Sequence, residues 1–197
     1  MNQSAAPVRP KRGQLILLVL LFFLPLVFAF LVYYGSHWRP LGHTNHGTLI
    51  EPARPLPPAG FLAGQPNVTP DLFSGKWSLA YISDGRCDDD CRRTLYFMRQ
   101  TQQTLGNLIP RTQRVWLSTD HCCDPSADPS TQPPLIAVDA HSDAARAWLD
   151  TFPADRRATT IFVIDPRGNL MMRYDSRADP KGLREDLKKL LGLSHIG

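Results

Sequence analysis

At 197 residues the chain has room for one ordinary domain and an anchoring segment, and no more. Charged residues make up 20% of it and hydrophobic ones 43%, which excludes a disordered chain. The formal net charge is only +4 and the lysines and arginines are scattered, which removes the case for nucleic-acid binding.

Leu15 to Tyr34 is an uncharged apolar run of about the length that crosses a bilayer as a helix. Pro25 lies inside it, which membrane helices tolerate. Tyr33, Tyr34 and Trp38 stand at its far end, where an aromatic belt belongs. Arg9, Lys11 and Arg12 precede the run, and Arg39 is the one basic residue close behind. That bias keeps residues 1–14 cytoplasmic, makes 15–36 the transmembrane helix and exports the rest. A cleaved signal peptide is the alternative, but the run is long for one and no small-x-small cleavage pattern follows. Export puts Cys87, Cys91, Cys122 and Cys123 in an oxidising compartment.

Residues 37–69 are rich in proline and glycine and read as a tether lying partly along the domain, with a short edge strand at Thr48-Leu49-Ile50 as an option. His37, His43 and His46 fall here and read as solvated loop side chains, metal ligation being the minor alternative. The exported domain then runs over 70–197. Leu79 to Ile82 is a short apolar run that suits a buried strand, and Asp84-Gly85 is turn chemistry. Cys87-Asp88-Asp89-Asp90-Cys91 follows, and any of the three aspartates can cap the helix that begins there. Leu95, Met98, Leu105 and Ile109 mark that helix's buried face. Four residues of helix rise about 6 Å, within the Cα separation a disulfide accepts. Cys87 and Cys91 therefore share a face and can bond to each other or hold one metal ion.

Arg114 to Ser118 is a second strand, completing a βαβ unit. A Pro/Asp/Ser loop from Asp120 to Pro134 carries His121, Cys122 and Cys123, three potential ligands in a row. Leu135 to Val138 reads as a brief strand or a connector, and His141 to Phe152 as a helix. Thr159 to Ile164 is a strand, Asp165-Pro166-Arg167-Gly168 a turn, and Asn169 to Tyr174 the answering strand of a hairpin. Asp179 and Pro180 start a helix expected to reach Leu191 and stop at Gly192. Trp77, Trp116 and Trp148 read as core.

Trp77 to Cys91, Ser118-Thr119-Asp120, Ile161 to Gly168 and the basic C-terminal helix resemble the Sco/SenC family. The resemblance implies a three-layer α/β domain of thioredoxin fold behind an N-terminal transmembrane helix. It implies a protein of the bacterial inner membrane with its C-terminal domain in the periplasm. Its partner would be a cytochrome c oxidase subunit or another assembly factor, and Cu(I) its metal. In that family a histidine about nine residues before the hairpin proline completes the copper site with the two cysteines; counting back from Pro166 reaches Arg157. Prolines usual after the two cysteines are replaced by Asp88 and Arg92, and Thr159-Thr160 stand where thioredoxins carry a cis-proline. The expected catalytic pair is Cys87 and Cys91, and the expected metal ligands are Cys87, Cys91, His121, Cys122 and Cys123.

Two classes of function follow. One is thiol–disulfide exchange or Cu(I) handling through Cys87 and Cys91. The other is a non-catalytic scaffold on the oxidase, with a general periplasmic thiol–disulfide oxidoreductase as a further alternative. A structural disulfide at Cys87–Cys91 is the bland reading, but so short a loop stabilises little. The strand ending at Ser118 should be the parallel neighbour of the strand ending at Ser83. Cys122 or Cys123 is therefore expected to approach the Cys87/Cys91 pair.

Overall fold

The computed structural model describes residues 12–35, 44–65, 68–120, 123, 133–194 and 196. The chain divides into two units, 1–43 and 44–197. In the first, helix α1 (Arg12–Gly35) contains Pro25 and buries none of its residues. It is long and apolar enough to cross a membrane.

The second unit is built on a six-stranded mixed sheet. Its strands are β1 (Thr48–Pro55), β2 (Trp77–Ser83), β3 (Thr112–Ser118), β4 (Leu135–Asp139), β5 (Thr160–Ile164) and β6 (Asn169–Asp175), in the order β1-β6-β5-β2-β3-β4. β2, β3 and β4 run parallel, while β5, β6 and β1 run antiparallel to their neighbours. Side chains alternate across β2 with period two. Trp77, Leu79 and Tyr81 face one apolar layer, and Ala80 and Ile82 the other. The first layer is closed by α2 (Asp89–Gln103) and α4 (Pro180–Leu193) through Leu95, Met98, Leu183, Leu187 and Leu191. The second is closed by α3 (Asp143–Leu149) with Trp148, Leu149 and Phe152, and by Ala59, Leu62, Leu72 and Phe73. Three layers with the sheet in the middle explain why β2 and β5 read as continuous apolar runs: both faces are covered. Trp77, Trp116 and Trp148 are all core.

Several element ends differ from the sequence expectation. α2 stops at Gln103, so Leu105 and Ile109 lie beyond it, Leu105 just ahead of a 3-10 segment (Gly106–Arg111) and Ile109 inside it; Gly106 turns the chain with φ +60°, which glycine alone adopts cheaply. α4 passes Gly192 and ends at Leu193, because the Arg111 guanidinium takes the carbonyls of Leu191, Ser194 and Ile196 at 2.7 to 3.0 Å. The option at residues 48–50 is the start of a longer strand, β1, that pairs with β6 at the sheet edge. Just before it, residues 44–47 strap onto α4. The backbone N–H groups of His46 and Gly47 both donate to Asp186 Oδ2, at 2.8 and 2.9 Å. The His46 ring meets Glu185 at 3.1 Å, so it is a paired rather than a free loop side chain.

Candidate thiol–disulfide site

The carboxyl ends of β2 and β3 leave the sheet side by side. Thr119 donates to the Ser83 carbonyl from its backbone N–H at 2.8 Å and from its hydroxyl at 3.2 Å. Trp116 Nε1 donates to Ser83 Oγ at 2.8 Å. Gly85 (φ +88°) turns the chain after β2, and the Asp84 carboxylate accepts from Arg86 N at 3.1 Å. This turn delivers Cys87 to the N-terminus of α2, where it is bonded to Cys91 with a Cα separation of 5.1 Å. Both sulfurs belong to the apolar layer under α2; Cys91 is 1% exposed and Cys87 8%. The more accessible member is therefore the first cysteine.

Of the three aspartates, Asp88 is the cap. Its Oδ1 accepts from Cys91 N at 2.9 Å, while its own carbonyl takes Arg92 N. Asp89 pairs with Arg92 at 3.2 Å and Asp90 with Arg93 at 3.4 Å, each one turn along the helix. In the same apolar layer, Tyr81 donates to the Ala158 carbonyl at 2.9 Å. Burial pushes the Tyr81 phenol well above its ordinary value, and the negative charges of Asp88, Asp84 and Asp90 add to the shift.

Across the rim, Arg86 reaches Asp120 at 3.8 Å, joining the turn after β2 to the loop after β3. Cys123 is half-buried and packs against the layer that holds Cys87 and Cys91. It is itself disulfide-bonded, and since Cys87 and Cys91 bond each other, its partner is neither of them. His121 and Cys122 lie outside the described residues.

Arg157 lies in a short 3-10 turn before β5, and Arg156 ahead of it sits in the left-handed region at φ 56°. The Arg157 guanidinium donates to the carbonyls of Leu149, Phe152 and Pro153 at 2.7 to 3.1 Å, closing the end of α3.

Residues 77–194 match the family described as "Transmembrane-like, thioredoxin-like, C-terminal domain". The chain belongs to that family. The fold of this thioredoxin-like chain is also that of solved Sco1 structures. The solution structure of apo Sco1 from Thermus thermophilus is 21% identical, with TM-score 0.50, covering 77% of this chain and 98% of that one. Yeast Sco1 is 16% identical, with TM-score 0.54, covering 62% and 83%. Yeast Sco1 with copper bound is again 16% identical, with TM-score 0.50, covering 62% and 82%. No curated protein matches.

Of the expected metal ligands in this thioredoxin-like chain, the described structure brings Cys87, Cys91 and Cys123 to one apolar layer. Among the described residues no group of three or more His, Cys, Asp or Glu side chains could hold a metal ion. Arg157, at the counted position of the family histidine, is a cation already committed to three carbonyls. Among the described residues the pair thus offers two sulfurs for Cu(I), and no set of three donors is assembled around it. Sequence reasoning missed the carbonyl-binding role of Arg157, the place of Tyr81 in the layer that holds the pair and the singling out of Asp88. Only the last had a signal, because a capping aspartate three residues before Cys91 is the spacing at which a carboxylate reaches that amide.

Proposed function

We propose that this chain is a membrane-anchored thiol–disulfide exchange protein that assists cytochrome c oxidase assembly through Cys87 and Cys91. The observation that carries this reading is the Cys87–Cys91 disulfide at a strand-to-helix junction, with Cys87 the less buried of the two. α1 would hold the protein in the bacterial inner membrane, with residues 44–197 in the periplasm. Exchange needs two displacements. The Cys87 thiolate attacks one sulfur of a partner disulfide; the Cys87–partner bond forms and the partner's other sulfur leaves as a thiolate. Cys91, its proton lost to solvent, then attacks Cys87, closing the intramolecular bond and releasing the partner's second thiolate. Every bond formed replaces one broken, and two electrons pass between the pairs.

Copper handling is the second reading. Two thiolates, one just ahead of α2 and one in its first turn, favour Cu(I), and the chain shares its fold with a Sco1 solved with copper bound. Here Cu(I) is cargo, and His121, Cys122 or Cys123 would supply the third donor. The test is a full-length Cys87→Ser, Cys91→Ser protein in cells that lack the native copy, with oxidase activity as readout. Loss of oxidase with normal amounts of the variant is expected. Full activity would leave only the scaffold. Anaerobic titration of the reduced native chain with Cu(I), with thiols counted, separates exchange from metal delivery.

A further inference from the structure

The first turn of a helix offers free N–H groups and about half a positive charge, and together they stabilise an anion there. A thiolate at Cys87 would draw on that stabilisation, because its sulfur is bonded to a residue of that turn. In this chain the amide of Cys91 is already taken by a carboxylate at 2.9 Å. That carboxylate belongs to Asp88, the residue directly after Cys87. The neighbouring aspartates are each matched by an arginine, but among the described residues Asp88 has no cation partner. The end of α2 therefore carries one unmatched full negative charge against the fractional positive charge of the helix.

We infer that Asp88 is a positioning residue that keeps a full negative charge on the Cys91 amide, where a Cys87 thiolate would otherwise be stabilised, and so makes the reduced pair an electron donor. The inference rests on the exchange reading above and names the residue that sets its balance. When the reduced form loses its stabilisation, the disulfide is favoured, and a dithiol that favours its disulfide gives electrons to its partner. The balance is that of the two displacements described. The Cys87/Cys91 dithiol is oxidised to the disulfide, and an oxidised cysteine pair on the partner protein is reduced to two thiols. Asp88 is the largest charge contribution to the upward shift at Tyr81, second only to burial.

The test uses the full chain in detergent, equilibrated with graded mixtures of reduced and oxidised dithiothreitol and then alkylated and weighed. In the native protein the pair should stay oxidised until the reduced dithiol is in large excess. Asp88→Asn caps a helix as well as aspartate does but lacks the full charge. It should shift the equilibrium toward the dithiol by about fivefold, the size of an exposed charge at a helix end. Asp88→Ala also frees the amide and should shift it further, at the expense of helix stability. Asp88→Glu should return the equilibrium toward the native value. An Asp88→Asn protein with an equilibrium within twofold of native would overturn the inference and leave Asp88 a cap only. A native pair that never reduces, or never re-forms, would instead defeat the exchange reading itself.

Discussion

Two carboxylates in this molecule do the same local chemistry in opposite settings. Asp186 on α4 accepts the amides of His46 and Gly47, is 4% exposed, and latches residues 44–47 across the helix. Asp88 at the start of α2 accepts one amide, is exposed, and stands beside a disulfide. At the latch everything around the carboxylate is packing. Gly47 and Gly182 lie so close to neighbouring side chains that a Cβ on Gly47 would meet Met172 and Tyr174, and one on Gly182 would meet Tyr174 and His46. At the rim the surroundings are ion pairs in solvent and a reactive bond. A hydrogen-bonded carboxylate is thus not by itself structural or functional. Burial decides whether its loss is felt as stability, and the neighbouring sulfur decides whether it is felt as chemistry. Changes at the latch should therefore show in unfolding, and changes at the rim in reactivity.

The largest effect expected is at Gly182. A Cβ there would overlap the Tyr174 hydroxyl and lie 2.6 Å from His46 Cβ, and neither is the loose end of a flexible side chain. Gly182→Ala should cost about 3 kcal/mol, from overpacking and loss of the strap together. Urea unfolding of the full chain in detergent reads it directly. A loss below about 1 kcal/mol would mean the strap is not closely packed and would blur the contrast with the rim.

Asp186→Asn comes next. The amide oxygen still accepts from His46 and Gly47, but without the charge that strengthens both bonds. The expected loss is about 1.5 kcal/mol, the margin between charged and neutral hydrogen bonds at a buried site. The dithiol equilibrium of Cys87 and Cys91 should not move. If it moves as far as in Asp88→Asn, the two regions are coupled and the comparison fails.

What was legible in the sequence follows from the range of the forces involved. The runs Leu79–Ile82 and Thr160–Ile164 reveal buried strands because both faces of the sheet are covered, and Asp165 to Gly168 reveals a hairpin because turn chemistry is local. The Cys87/Cys91 pairing was open to two readings, since i, i+4 spacing suits a disulfide and a metal equally. The latch was hidden: His46 and Asp186 are separated by 140 residues, and neither carries a pattern that names the other. Arg157 was legible only as a missing histidine. Its three carbonyl partners are the last residue of α3 and two residues of the turn after it, and their positions depend on where that helix stops. The end of α2 was overrun because apolar spacing continues through Leu105 and Ile109, while Gly106 and Pro110 break the helix between them.

The smallest effect on stability is expected at the ion pair that bridges the two cysteine-bearing loops. The side chains of Arg86 and Asp120 are 74% and 51% exposed and 3.8 Å apart, so solvent and salt screen most of their attraction. Such a pair contributes between nothing and about 1 kcal/mol, and here the long, exposed geometry puts it at the low end. Asp120→Asn should therefore leave urea unfolding within about 0.5 kcal/mol of native. Its consequence should appear at the rim instead. Asp120 is a negative charge on the loop that leads to Cys123, and it holds Arg86 one residue from Cys87. Releasing Arg86 frees a cation to approach a Cys87 thiolate, which should speed alkylation of the reduced pair by about twofold at low salt and not at all in 1 M salt. Stopped-flow alkylation at the two ionic strengths checks this. Equal rates at both would mean that Arg86 does not act on Cys87. A stability loss as large as that of Asp186→Asn would show that the rim is held as firmly as the latch, and the distinction between the two carboxylate settings would have to be given up.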